Sequence, residues 1–243
     1  MAAREPNRSA EQLETRHRIL REAATLFADK GYAATTTREI AAAVGVQQPS
    51  LFHHFGSKQE ILDSLLRVSI EVPAATLKAL VRQEGSPAER LMAHLFLDAR
   101  HILSCPYNLL GLHADDVLLG DFGRWRAKLD ELHRGIRRLV RSAVQEGEFV
   151  AVEPEFAQWT LTGGTLAVIR IHGGAPRPRP DRTAWQASRL LTRMYLARPE
   201  TLDACQRGAS EIVDRIRAEA TPEDSPADKP KAKEKVKEKE VAP

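Results

Sequence analysis

Residues 36–58 constrain the chain more than any other stretch, because they prescribe two short helices and the sharp turn between them. Thr36 is a good N-cap, and Glu39 three residues on can return a hydrogen bond to the cap's own amide, so a helix is expected from Thr37. Ile40, Ala41 and Val44 give it one apolar face, its small alanines admit a close neighbour, and Gly45 supplies the left-handed residue that ends it. A second start follows at Gln47 or Gln48, with Pro49 tolerated because first-turn amides have no intrahelical partner. Leu51, Phe52 and Phe55 are expected to anchor this second helix, leaving Gln47, Gln48, Ser50, His53 and His54 outward or toward the edges. Gly56 and Ser57 end it and cap the next helix, whose first turn holds Lys58. A helix dipole alone disfavours a cation there, so phosphate contact is the expected reason for it. Two short helices joined by a glycine turn have the layout of a helix-turn-helix and point to DNA; the competing reading is an ordinary pair of core helices.

The surrounding pattern is longer than that turn. It comprises Ile19-Leu20, Ala23-Ala24 and Leu26-Phe27, then Lys30-Gly31-Tyr32 and Thr35-Thr36 leading into Glu39-Ile40-Ala41. Val44-Gly45-Val46, Leu51-Phe52-His53-His54-Phe55 and Ser57-Lys58-Glu60 complete it. On these residues, positions 16–62 resemble the DNA-binding domain of the TetR family of bacterial regulators. The resemblance implies that Thr37, Ser50, His54 and Lys58 contact backbone phosphates and that Gln47, Gln48 and Pro49 sit where bases are approached, with His53 also on the exposed side. Glutamine pairs bidentately with adenine in the major groove, which makes Gln48 the first choice for reading sequence. One departure is Phe52, where the family commonly has a tyrosine whose hydroxyl reaches a phosphate; phenylalanine keeps the packing without that bond.

Length and composition bound what the remainder can be. At 243 residues and 42% hydrophobic content, the chain holds one large or two modest domains with a real core. A net charge of +3 and a pI near 8.9 leave DNA affinity to a local patch, which suits a site-specific binder better than a bulk coater. Cys105 and Cys205 lack any CxxC or CxxH partner, which fits buried thiols in a reducing compartment. No run of 18 apolar residues and no apolar leader segment occurs, so a cytoplasmic protein without a membrane partner is expected.

The expected organisation is all-α: an N-terminal helix-turn-helix DNA-binding domain followed by a helical ligand-binding and dimerisation domain. Residues 1–11 are read as a flexible arm, the alternative being minor-groove contact by Arg4 and Arg8. The DNA-binding domain is placed at 12–58, with its first helix over about 12–29, and the ligand-binding and dimerisation domain at 59–220. Helical spacing predicts a helix after Lys58 that Pro73 disturbs, another opened by Ser86-Pro87-Ala88-Glu89, and a broken helix over 107–120. Further helices are predicted over 122–146, 153–171, 181–197 and 199–219. Gly163-Gly164 weaken the 153–171 helix but let a second helix approach. The resemblance implies dimerisation through the 153–171 and 181–197 pair. Residues 221–243, rich in Pro, Ala, Lys and Glu, are read as a disordered tail that is either a solvated appendage or a source of non-specific attraction to DNA.

Candidate chemistry in the second domain is sparse. His94, Asp98 and His101 fall at i, i+4 and i+7 on one helix face, where metal ligands would stack, but ordinary polar or pocket-lining side chains are the favoured reading and no metal or cofactor is expected. His113, Asp115 and Asp116 form a second polar cluster, read as structural. The arginines between Arg124 and Arg141 are read as a solvated face, the alternative being attraction of an anionic ligand. By resemblance, a small-molecule effector sits beside the helix leaving the DNA module, with Leu62, Leu66, Leu95, Phe96 and Trp125 as apolar candidates and His101, Tyr107 and His113 as polar ones. The expected function is a ligand-responsive repressor that binds a palindromic operator as a homodimer. An architectural or protein-interaction DNA-binding dimer is the alternative, and the lack of any nucleophile–base motif argues against an enzyme.

Overall fold

The computed structural model describes residues 5–113, 123–172 and 179–219. Arg4, the Asp115-Asp116 cluster, most of the proline-rich loop at 173–180 and the tail at 221–243 lie outside the described residues. In order, the helices are α1 (Glu5–Lys30), α2 (Thr37–Val44), α3 (Gln48–His54) and α4 (Lys58–Leu66), then a π turn (Arg67–Glu71) and α5 (Val72–Leu80). They continue with α6 (Pro87–Ser104), a short 3-10 turn (Leu110–His113), α7 (Gly123–Gln145), α8 (Pro154–His172), α9 (Pro180–Arg193) and α10 (Leu202–Glu219). The protein is all-α, and the described residues contain a single isolated β-bridge, Phe149 to Leu196.

Two boundaries differ from the sequence expectation for local reasons. The first helix begins at Glu5 rather than near residue 12: Pro6 falls in a first turn that needs no amide, and Ala10, Glu11, Gln12 and Leu13 are all good helix formers. α9 ends at Arg193 rather than 197 because Tyr195 and Ala197 give their backbone to the segment after α7, where Val150 N–H donates to the Tyr195 carbonyl (2.8 Å) and Ala197 N–H to that of Glu148 (2.9 Å). Pro73 is absorbed rather than disruptive. It sits in the first turn of α5, directly after the wider π turn, where the ladder tolerates a missing donor.

The buried side chains form two clusters. One joins α1, α2, α3 and α4 through Ile19, Phe27, Ile40, Leu51, Phe55, Ile61 and Leu65, and runs on without a break into Ile70, Ile102, Tyr107, Leu109 and Trp125. α4 therefore belongs to the core of the DNA module, and that core is rooted in the body. The other cluster surrounds α6, which is enclosed by α5, α7, α8, α9 and α10. Ser86 and Glu89 close a reciprocal capping box at its start, and Leu91, Met92, Leu95, Phe96, Ile102 and Leu103 are all buried along it. Phe96 stacks on Trp185 of α9 at 4.0 Å between ring centroids. Burial of each large apolar side chain contributes about 1.5–3 kcal/mol, so α6 alone supplies a large share of the body's stability.

Gly164 lets α8 and α9 approach. A Cβ built there would overlap the Leu191 side chain, whereas at Gly163 nothing lies near. Gly164→Val is expected to lower unfolding free energy by about 1–3 kcal/mol, measured as a shift of the urea midpoint; an unchanged midpoint would show that the two helices are not in close contact.

Candidate DNA-reading surface and interior cavity

The surface at α2 and α3 is held by a small set of local bonds. Thr36 caps α2 and accepts from Glu39 N–H (3.2 Å), while Glu39 Oε2 accepts from Thr36 N–H (2.8 Å). Lys30 pairs with the same Glu39 carboxylate, and these partners, Lys30 foremost, hold its pKa down at about 2. Gly45 takes φ 77°, the left-handed value that stops α2. Arg18 donates to the Val44 carbonyl at that end, and Arg16 donates to the His54 carbonyl (2.9 Å) while its guanidinium lies 4.0 Å from the Phe55 ring centroid. Two arginines of α1 thus cap the C-terminal ends of α2 and α3, where carbonyls lack intrahelical partners.

This frame leaves one row of α3 outward. Gln47, Gln48, Pro49, Ser50 and His53 are exposed, and Thr37 and His54 are partly so. Gln48 Nε2 donates to Thr37 Oγ1 (3.0 Å), which aligns the glutamine across the two helices. Leu51 and Phe55 anchor α3 as expected, but Phe52 does not: it is 43% exposed. Leu51 is on the inner face of α3 and Phe55, its extended C-cap residue, turns into the same core, while 52 is rotated about 100° from 51.

Lys58 finds its partners inside the molecule. Its ammonium donates to the carbonyls of Thr35 (2.7 Å), Tyr32 (2.8 Å) and Ala33 (3.5 Å) and lies 4.2 Å from the Tyr32 ring centroid. Burial pulls its pKa down, partly offset by Glu39. The cation, unfavourable for the α4 dipole, therefore stabilises the α1–α2 loop. That role is invisible in sequence because the carbonyls lie more than twenty residues away.

The module is locked to the body by polar bonds as well as apolar contact. The buried carboxylate of Asp63 in α4 accepts from Trp125 Nε1 (2.8 Å) and pairs with Arg124, both in α7. Lys128 of α7 pairs with Glu71 of the π turn, and His17 Nδ1 shares a 2.6 Å hydrogen bond with the Tyr107 hydroxyl.

Beyond this junction, α6, α7 and α8 line a partly open cavity of about 440 Å³. Of the eight residues expected to meet an effector, Leu95 and His101 line it. Leu62, Leu66, Trp125 and Tyr107 are buried instead in the core shared by the DNA module and the junction, Phe96 is packed on Trp185, and the side chain of His113 lies outside the described residues. The reason is rotational: Leu62 and Leu66 are turned fully into the core that α4 shares with the DNA module, and Trp125 turns its indole to Asp63. The cavity wall instead includes Ser69 of the π turn, His94 and Asp98 of α6, Arg126, His133 and Arg137 of α7, and Gln158, Trp159, Thr162 and Thr165 of α8. Gln158, Thr162 and Thr165 recur at i, i+4 and i+7 on one face of α8, a signal readable in the sequence but missed there.

Polar groups in this wall are shifted by desolvation. His94 is pushed down to about 4 and Asp98 up to about 7, each by burial, while His101 is lowered by burial against a 3.0 Å hydrogen bond between its Nε2 and the Val68 carbonyl. Among the described residues, no three His, Cys, Asp or Glu side chains are arranged to hold a metal. The outward arginines of α7, including Arg134, Arg138 and Arg141, form an exposed face.

The family model for bacterial regulatory proteins of the tetR family matches residues 19–65. The HTH-type transcriptional repressor KstR2 of Mycobacterium tuberculosis is 41% identical over 188 residues, covering 68% of this chain and 91% of the relative. The chain belongs to the TetR family. The transcriptional regulator TcmR of Streptomyces glaucescens is 34% identical over 213 residues, covering 84% of each chain. The crystal structure of Mycobacterium smegmatis AmtR superposes with a TM-score of 0.63 at 31% identity, over 81% of this chain and 93% of that one. TetR-family regulators are DNA-binding proteins rather than enzymes; they bind operator DNA, act as dimers and take small-molecule effectors. No helix among the described residues is long and apolar enough to cross a membrane.

Two outcomes follow from these geometries. Lys58→Ala removes a charged donor from three carbonyls and is expected to lower stability by about 1.5–3 kcal/mol, read by chemical denaturation without DNA; no change would reassign the lysine to a purely external role. Asp98 is raised in the folded state, so the native protein holds its proton longer than the unfolded chain and stability falls as pH rises from about 4 to about 7. Asp98→Asn is therefore expected to melt higher than the parent protein at pH 8 and nearly equally at pH 4, the reverse order refuting the assignment.

Proposed function

We propose that this TetR-family chain is an effector-controlled repressor that binds a palindromic operator as a homodimer and takes its effector in the cavity between α6, α7 and α8. The observation that carries the reading is the His101 contact. His101 belongs to the cavity wall, and its ring nitrogen bonds the carbonyl of Val68 in the π turn, the segment that continues α4. Ser69 of the same turn also faces the cavity. A ligand that competes for His101 or displaces Ser69 therefore acts on the joint between cavity and DNA module. Coupling consists of different ligand affinities for two settings of that joint.

The exposed row on α3 supports roles on DNA. Gln48 reads a base, with Gln47 and Pro49 alongside it and His53 at the edge, while Thr37, Ser50 and His54 face phosphates. Lys58 contributes by fixing the loop that presents Thr36 and Thr37, and contact with phosphate would require it to give up part of its carbonyl set. The repressor assignment follows the relatives named KstR2.

A second copy is supported by the apolar side chains that α8 and α9 leave in water: Phe156, Trp159 and Ile171 on one, Leu190 and Met194 on the edge of the other, all more than half exposed. A two-fold axis through this face pairs two recognition helices about 34–36 Å apart, one turn of DNA. A location in the cytoplasm, where operator DNA is found, accords with this reading.

The test is a salt-dependent anisotropy titration against the duplex flanking the protein's own gene, with scrambled duplex as competitor. Competitor-resistant binding is expected at physiological salt, and Gln48→Ala is expected to cut the preference for one base pair by about 5–150-fold with little loss on scrambled DNA. Equal binding to both duplexes would sink the operator reading.

A further inference from the structure

The cavity wall holds two polar groups that the fold draws, wholly or in part, out of water. His94 is 1% exposed, and its Nδ1 has no hydrogen-bond partner among the described residues. Asp98 follows one turn later on the same face of α6, lines the same cavity while part-buried, and has burial as the one resolved influence on its carboxyl among the described residues. The third member of the row, His101, is already engaged with Val68. Buried polar groups in native proteins are almost always paired, and an unpaired one, with a carboxyl one turn away in the wall of a space large enough for a drug-sized molecule, marks where a ligand supplies bonds.

The chemistry of the pair selects the ligand. With Asp98 held at about 7 and His94 at about 4 by burial, close to neutral pH His94 is uncharged and Asp98 is divided between acid and carboxylate. The outer wall carries both signs, with Arg126 paired to Asp130, Arg137 bonded to Gln158, and Glu155 nearby, so it favours no one ligand charge, while directly against Asp98 a carboxylate meets a second carboxyl. A hydroxyl suits either tautomer of His94. It donates to a bare Nδ1 and accepts from the Asp98 acid proton, or it accepts from Nδ1–H and donates to an Asp98 oxygen. Leu95, Ile102, Leu129, Ile136 and Leu161 line the rest and call for hydrocarbon.

We propose that His94 and Asp98 are a paired anchor for the hydroxyl group of an uncharged, mainly hydrocarbon effector. This rests on the reading of the cavity as the effector site. His94 and Asp98 then decide which ligand is accepted, while His101 reports its arrival to the π turn.

A matched series separates the two ideas: decalin, 2-decalol, decalin-2-carboxylate and 2-aminodecalin, titrated into the full-length protein at pH 7 with tryptophan emission as readout, since Trp159 lines the cavity. The alcohol is expected to bind about 10-fold or more tightly than the hydrocarbon and than either charged analogue, the gain of one or two net hydrogen bonds. Asp98→Leu and His94→Phe are expected to bring the alcohol to within about 3-fold of the hydrocarbon without weakening the hydrocarbon itself. A charged analogue that binds tightest, or an alcohol preference that survives both substitutions, overturns the anchor and leaves the cavity as an effector site. Failure of all four, decalin included, overturns the effector reading of the cavity. Because the series on the unmodified protein already decides between these outcomes, the test stands even if a variant does not fold.

Discussion

A helix packed by five neighbours has to hold its polar side chains against apolar ones, and α6 carries a buried His94 and part-buried Asp98 and His101 among its leucines. Five helices close around it, and their apolar contacts supply enough stabilisation to tolerate one polar group out of bulk water and two partly withdrawn from it. The shifts of His94 and Asp98 in opposite directions are the signature of that enclosure, since burial penalises whichever form is charged. Among them His101 spends its bond on the segment that leads to the DNA module. The cavity, its polar wall and its link to the reading surface all depend on the burial of this one helix.

The link is short because the two buried clusters meet along it. The core of the DNA module does not stop at α4 but continues through Ile70 and Ile102 to Trp125, so α4 cannot swing without disturbing side chains that also touch α6 and α7. Asp63 with Trp125 and Arg124, and Glu71 with Lys128, add directional bonds to this apolar seam. The π turn between them carries one carbonyl to His101 and one side chain to the cavity. Close-packed seams of this kind hold discrete arrangements rather than bending continuously, which makes them suited to switching.

On the reading surface, charge is used locally. The net charge of the chain is small, yet Arg16, Arg18, Lys30 and Lys58 all converge on the helix-turn-helix. Each is bound to a carbonyl or to Glu39, so they hold α2 and α3 in place and leave the outward row of α3 free. The exposed phenyl ring of Phe52 on that row offers apolar contact in place of a phenolic hydroxyl.

What the sequence determined by itself was everything enforced between neighbours a few residues apart. The capping box at Thr36, the left-handed Gly45, the Ser57 and Ser86 caps and the apolar stripes of α6 and α7 are consequences of short-range sterics and hydrogen bonding, and the structure has them where their spacing put them. The same rules carried the resemblance to one family, because a helix-turn-helix is specified by consecutive residues. Tertiary structure alone decided which way each face turned and which distant group answered it. Lys58 found carbonyls of the α1–α2 loop, Trp125 turned from the cavity toward Asp63, and Gln158, Thr162 and Thr165 were rotated into the cavity beside Asp98. Those pairings depend on how helices dozens of residues apart settle against one another, a balance of packing and desolvation that has no expression in local spacing.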